Sequence, residues 1–170
     1  MKSSARPLAR TSLAAAAGVT ALYLGSVVPG VRFTLLFIAA LGAAFIRMSC
    51  AGSWAWGCYA VTAALSLLLL PDKTLAIIYA LLPGYYPILK LRVERVRSVS
   101  LRYGAKLAIF HASCALVWLS ARLYTPMNAL LHARAVWILW AGALFVFLLY
   151  DYVLGQMILY YLRKIAGRLK

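Results

Sequence analysis

VWILWAGALFVFLLYDYVLGQMILYYL, residues 136–162, is an almost continuous run of apolar side chains that ends at the basic pair Arg163-Lys164. A helix that crosses a membrane needs about 20 mostly apolar residues, and this run is longer than that. Asp151 is the one formally charged side chain within it. The run therefore predicts a membrane-spanning helix with a carboxyl group inside the bilayer.

Earlier in the chain, turn-forming and basic residues separate further apolar runs. They predict spans at 11–28, 33–48, 54–70, 74–91 and 103–123, before the one at 136–162. Pro83 and Pro87 interrupt the fourth, and a proline inside a helix loses a hydrogen bond and clashes with the preceding turn, so this span should kink or end near Leu82. We predict an all-α polytopic membrane protein, a single domain over residues 1–170 with a bundle of six transmembrane helices and a kinked fourth helix.

Composition excludes a soluble domain. Of the 170 residues, 65% are hydrophobic and only 12% are charged, against roughly 45–50% and 25% in globular domains. A chain of this length has too small a core to hide so much apolar surface, so lipid must cover the rest. We interpret the first apolar run as a retained helix instead of a cleaved signal peptide, because it exceeds a usual signal core and further spans follow it.

The basic residues predict the orientation. The net charge is +15, from 18 Lys and Arg against three acidic residues. Six spans with a cytoplasmic N-terminus leave four of these cations outside: Arg32, Lys73, Arg122 and Arg134. The other fourteen are cytoplasmic: Lys2, Arg6, Arg10, Arg47, Lys90, Arg92, Arg95, Arg97, Arg102, Lys106, Arg163, Lys164, Arg168 and Lys170. This asymmetry follows the positive-inside rule and predicts that both termini are cytoplasmic. Nucleic-acid binding is not expected, because no soluble basic domain is present.

Basic residues are also concentrated between the fourth and fifth spans. The stretch 90–102 interleaves cations with apolar residues and opposes them with Glu94 alone. We interpret it as a short cytoplasmic amphipathic helix or helical extension. Its residues Arg92 and Arg95 are candidates for contact with lipid headgroups or with a coupling subunit.

Asp151 is the most informative single residue. It lies about 18 Å from the cytoplasmic end of its helix, near mid-bilayer, where a carboxylate costs a few kcal/mol or more unless it is paired, protonated or hydrated. His111, near the middle of the fifth span, is its natural partner by depth. Two interpretations remain open: a group that contacts a substrate or ion in an internal cavity, and a polar clamp between helices.

Aromatic and small residues supply the other candidates. Trp118 and Trp140 lie toward the outer face, where they either anchor the protein at the interface or line a pocket for a flat organic ligand. On the first helix, two pairs of small residues are spaced by four: Ala14 with Gly18, and Ala17 with Ala21. Such faces let helix backbones approach closely, either for internal packing or for docking of another protein.

Catalytic and metal-binding motifs are missing. The sequence contains no HExxH, GxSxG, P-loop or paired-carboxylate arrangement, so we expect no enzyme, no ATPase and no metal or other cofactor. Cys50, Cys58 and Cys114 lie in apolar surroundings without a paired spacing, and we interpret them as small buried hydrophobes.

Three segments carry a resemblance to a known family: VRFTLLF at 31–37, LLLLPDK at 67–73, and GYYPILK at 84–90, the most specific of them. In these and in its layout the chain resembles the substrate-binding subunits (S components) of energy-coupling factor vitamin transporters, and a group of uncharacterised six-helix bacterial membrane proteins of that type. The resemblance implies a bacterial cell membrane, a membrane-embedded site that opens outward, and docking through the small-residue face of the first helix. It also implies a transmembrane coupling subunit and two cytoplasmic ATPases as partners.

Three functions follow as hypotheses. The first is a substrate-capture subunit for uptake of a small, vitamin-like organic nutrient. The second is a structural or assembly protein that packs against another membrane complex without a ligand. The third, a small membrane enzyme, is disfavoured by the shortage of acid–base residues.

Overall fold

The computed structural model describes residues 5–50, 52–124 and 133–164, and within them every regular element is a helix, as expected for an all-α chain. The helices are α1 Ala5–Val27, α2 Arg32–Ser49, α3 Gly52–Leu69, α4 Lys73–Leu81, α5 Tyr86–Val93, α6 Val99–Tyr124 and α7 Ala133–Lys164, with a 3₁₀ turn at Pro29–Val31. Residues 125–132 of the predicted outer connector and the basic tail 165–170 lie outside the described residues.

Four stretches of the described residues are long and apolar enough to cross a membrane: Arg32–Ser49, Gly52–Leu69, Lys73–Val93 and Trp137–Tyr161. The prediction of a helical chain with several apolar helices long enough to span a membrane is therefore confirmed. α1 and α6, which correspond to the first and fifth predicted spans, are not among the four. α1 begins earlier than the predicted residue 11, carries Arg6 and Arg10 in its first turns, and is rich in alanine.

The chain divides into two compact units, residues 1–119 and 120–170. In the first unit α1, α2 and α3 pack on one another, and α4 and α5 pack against α2 and α3. The second unit contains α7. Buried side chains recur every three or four residues along α1, α2 and α3, as in any helix that buries one face.

Small residues bring α1 and α2 together. A Cβ atom added at Gly42 would lie 3.3 Å from the carbonyl oxygen of Ala14, which is tighter than ordinary van der Waals contact. One turn further along α1, a Cβ atom at Gly18 would lie 3.2 Å from Cγ2 of Thr62 on α3 and 3.7 Å from the Ala39 carbonyl oxygen. The close approach of α1 to both neighbours therefore requires small residues at these positions.

The turn between α3 and α4 is held by its own charged residues. Asp72 accepts a hydrogen bond from the backbone N–H of Thr74 (3.0 Å) and so caps α4. Lys73 donates from Nζ to the carbonyl of Leu67 (2.7 Å) near the end of α3. The second carboxylate oxygen of Asp72 lies 3.2 Å from Nη1 of Arg32, which ties the start of α2 to this turn.

The opposite end of the first unit contains the α2–α3 turn and α5. Ile88 of α5 belongs to the same buried cluster as Ile46, near the end of α2, and Ala55, near the start of α3. The basic end of α5 therefore lies at the end of the unit opposite to the Arg32–Asp72 ion pair.

The basic stretch 90–102 does not form a separate amphipathic helix, which corrects one of the two interpretations. Residues 90–93 and 99–102 belong to longer helices, as the alternative of a helical extension predicts. α5 ends at Val93, residues 94–98 form a turn, and α6 begins at Val99. The side chain of Lys90, which a helix on the membrane surface would expose, is instead buried in the protein.

Gly42 provides a test of the α1–α2 packing. Replacement of Gly42 by Leu is expected to lower the free energy of unfolding by about 1–3 kcal/mol, because the side chain must displace the Ala14 backbone. Thermal unfolding of the purified protein in detergent micelles measures the loss. The matched control is Gly57→Leu on α3, where an added Cβ meets nothing within 4 Å. Equal losses for the two variants would contradict the close approach.

Candidate functional site

The break between α4 and α5 is the most polar feature of the first unit. Pro83 has no N–H and cannot make the helical hydrogen bond to the Tyr79 carbonyl. The N–H of Gly84 donates to that carbonyl instead (2.9 Å), which leaves the Ala80 carbonyl without its usual helical donor. Tyr59 of α3 supplies the replacement through its hydroxyl, at 2.7 Å. In a membrane such a donor must come from protein or water, and here the protein provides it.

Gly84 is required at this break by close approach. A Cβ atom there would lie 2.7 Å from the Tyr79 carbonyl oxygen and 3.0 Å from ring carbons of Tyr59. No glycine among the described residues has a positive φ, so a left-handed conformation is not the reason for glycine at this position. The ring of Tyr59 can reach the break only because residue 84 has no side chain.

The two tyrosines of the GYYPILK segment lie inside the protein. The hydroxyl of Tyr85 donates to Oγ of Ser113 on α6, and Ser113 in turn donates to the Ile109 carbonyl (2.7 Å). Tyr86 is only 1% exposed. Tyrosine side chains suit the membrane–water boundary, so the sequence alone leads us to expect both rings there. For Tyr86 that expectation is wrong, because the proline-induced turn directs its ring into the helix packing.

A buried charged cluster follows the break, and sequence reasoning missed it. Oε1 of Glu94 lies 3.5 Å from Nζ of Lys90 and 3.7 Å from Nζ of Lys106, and the two lysine side chains are 2% and 11% exposed. The spacing of Lys90 and Glu94 by four residues was the available signal. Arg92 and Arg95, the other two candidates from this stretch, are exposed.

On α7 the structure places Asp151 and Trp140 on one face. The most deeply buried residues of the helix include Phe147, Leu154 and Ile158, which recur at helical spacing. Asp151 is half-buried, four residues after Phe147 and three before Leu154, so it lies on this stripe. Trp140, also half-buried, lies seven residues before Phe147 on the same stripe. Most large apolar side chains elsewhere on α7 are exposed, as expected for lipid contact.

His111 and Trp118 lie on the exposed side of α6. Nδ1 of His111 donates to the carbonyl of Leu107 (2.7 Å), and its ring meets that of Phe110 edge to face at 5.4 Å. Trp118, seven residues later, is also exposed, whereas Phe110 is buried. The contact between His111 and Asp151 joins residues of the two units and stays a prediction.

Most of the small residues predicted to dock a partner pack against other helices of the same chain. Gly18 and Ala21 are buried, and Ala14 lies against Gly42 of α2. Only Ala17 of the four is exposed. These contacts favour the alternative of internal packing for Ala14, Gly18 and Ala21, since α2 and α3 pack on this face of α1. The docking of another protein stays a prediction.

Thiol or metal chemistry would use cysteine, histidine and acidic side chains. In the described part of the chain, no group of three or more His, Cys, Asp or Glu side chains is close enough to hold a metal ion. Cys50, Cys58 and Cys114 are free thiols. The fold brings polar groups together at two neighbouring places. One is the break between α4 and α5, where Tyr59 binds the Ala80 carbonyl, and the other is the cluster of Lys90, Glu94 and Lys106.

Tyr59 provides a test of the break. Tyr59→Phe removes the donor to the Ala80 carbonyl and is expected to cost about 1–3 kcal/mol of unfolding free energy, the penalty for an unsatisfied buried acceptor. Chemical unfolding in mixed micelles measures the change. Tyr23→Phe is the matched control, since Tyr23 on α1 is 48% exposed. A Tyr59 variant as stable as the control would show that the hydrogen bond is dispensable.

Comparison with protein-family models, with curated proteins and with solved structures found no match. The resemblance to transporter S components therefore rests on the three short segments and on the helical layout. Function has to be argued from the placement of the chain's own residues, chiefly Asp151 on α7.

Proposed function

We propose that this chain is a membrane-embedded substrate-capture subunit for uptake of a small, vitamin-like organic nutrient. The observation that carries the proposal is the position of Asp151. It is half-buried and lies on the stripe of buried residues along α7, in the candidate membrane span Trp137–Tyr161. Ionisable residues inside membrane spans face the protein interior far more often than they face lipid. They commonly mark substrate or ion pathways.

The depth of Asp151 supports this role. Asp151 lies ten residues before Tyr161, which is about 15 Å along a helix. The hydrocarbon core is about 30 Å thick, so the carboxyl group lies near its middle. A carboxylate at this depth is costly, and a binding function explains why the chain keeps one there.

Trp140 extends the proposed site toward the outer surface. It shares the stripe of Asp151 and lies eleven residues earlier, about 16 Å along the helix. An indole ring above a carboxyl group suits an organic ligand with a flat apolar part and a polar or cationic group. We propose His111 and Trp118 of α6 as further substrate-binding residues.

Six spans with both termini in the cytoplasm of a bacterial cell remain our proposed topology. α1 and α6 contain 23 and 26 residues, about 34 and 39 Å of helix, and so are long enough to cross the bilayer. Within the first unit, the Arg32–Asp72 pair lies at one end and the basic end of α5 at the other. This separation agrees with the charge asymmetry that the positive-inside rule requires.

Reporter fusions test this topology. Alkaline phosphatase fused after Asp72 is expected to be active, because that turn would be external, whereas fusions after Arg97 and after Lys170 are expected to be inactive. Green fluorescent protein fused at the same three positions should give the reverse pattern. Phosphatase activity at the C-terminus would contradict the six-span arrangement.

The chain would not hydrolyse ATP itself, since its sequence contains no P-loop. We propose a transmembrane coupling subunit and two cytoplasmic ATPases as its partners, with no nucleic acid involved. The internal use of Gly18 and Ala21 means that such partners dock elsewhere than on the buried face of α1.

Replacement of Asp151 by Asn tests the site. Uptake of a panel of radiolabelled water-soluble vitamins is measured in cells that express the wild type or the Asn variant. For at least one compound, we expect the uptake that depends on this chain to be at least tenfold lower in the Asn variant. The variant should keep wild-type expression and thermal stability, because asparagine preserves the size of the side chain and one of its acceptor oxygens. Gln156→Leu is the control, since Gln156 is an exposed polar residue of the same helix away from the stripe.

Two outcomes would contradict the proposed function. One is uptake by the Asp151→Asn variant equal to that of the Gln156→Leu control. The other is a wild-type chain that supports no vitamin uptake and co-purifies with no P-loop ATPase. The second outcome would favour the structural or assembly role instead.

A further inference from the structure

A group of exposed arginines lies at the junction between α5 and α6. We propose that Arg92, Arg95 and Arg97, together called the arginine surface, bind the phosphate headgroups of anionic lipids. This inference does not depend on nutrient uptake, because it concerns a different face of the molecule. It is carried by the charge, the depth and the apolar neighbours of the junction.

The charge of the arginine surface is not neutralised locally. Glu94, the one acidic residue between the fourth and fifth predicted spans, is directed to the buried Nζ atoms of Lys90 and Lys106, at 3.5 and 3.7 Å. None of the three arginines forms an ion pair with another described residue. The fold therefore separates the segment's acid from its exposed cations and leaves the cations available to an external anion.

The depth of the junction matches that of lipid phosphates. The candidate membrane span Lys73–Val93 ends one residue after Arg92. Arg95 and Arg97 follow within the turn that leads to α6. Side chains just beyond the end of a span meet the headgroup region, where basic clusters on the cytoplasmic side gain affinity for anionic lipid.

The apolar neighbours favour lipid over an acidic protein. Val96, Val99 and Leu101 alternate with the basic residues and are 40%, 56% and 66% exposed, and the ring of Tyr103 is also exposed. Apolar side chains and a tyrosine beside cations suit the boundary between acyl chains and headgroups. A soluble acidic partner would neutralise the charge of the arginines but would leave these apolar groups exposed to water.

Native mass spectrometry tests the proposal. The intact chain is purified, delipidated and equilibrated with micelles that contain equimolar phosphatidylglycerol and phosphatidylcholine. We expect the wild type to retain phosphatidylglycerol in at least fivefold preference, about the effect of one surface cation near an anionic lipid. The preference should fall toward equality in the double variant Arg95→Gln/Arg97→Gln.

The double variant Arg6→Gln/Arg10→Gln is the matched control. It removes the same charge from two other exposed arginines, in the first turns of α1, and is expected to keep most of the preference. Equal losses in the two double variants would indicate a general charge effect and overturn the proposal. An unchanged lipid preference in Arg95→Gln/Arg97→Gln would show that the arginine surface does not bind the lipid and would overturn the proposal too.

Discussion

The hydrogen bond from the Tyr59 hydroxyl to the Ala80 carbonyl is the contact on which the first unit depends. A proline in a membrane-crossing stretch disturbs two backbone groups, and hydrocarbon offers neither of them a partner. One is satisfied by Gly84 and the other by a side chain from a different helix. The break in the fourth span is therefore possible only because α3 lies beside it.

Close packing of small residues places Tyr59 within reach. Gly18 allows α1 to lie against Thr62 of α3, and Gly42 allows α2 to lie against Ala14 of α1. These contacts fix the three-helix core on which α4 and α5 pack. Larger side chains at the glycines would move α3, and with it the phenol that completes the break.

Much of the architecture could be predicted from the sequence, because long apolar runs and prolines act locally. The helical class, the apolar spans and a disturbance near Leu82 all follow from such patterns. The inward turn of Tyr86 and the Lys90–Glu94–Lys106 cluster could not be predicted in the same way. Both depend on which residues the turn after Pro83 brings next to α6, and no local pattern contains that information. The choice between internal packing and docking for Gly18 and Ala21 was open for a similar reason, since small residues promote close packing but do not specify which helix packs against them.

The direction of synthesis gives the Tyr59 contact a further consequence. Tyr59 precedes Ala80 by 21 residues, so the ribosome makes the donor before it makes the carbonyl that needs it. For a chain that is inserted into a membrane, as we propose for this one, α3 has already emerged when the proline-containing segment follows it and can accompany that segment into lipid. The order of elements along the chain thus spares the cell from inserting an unsatisfied carbonyl, and a circular permutant that began between α3 and α4 would lose that protection.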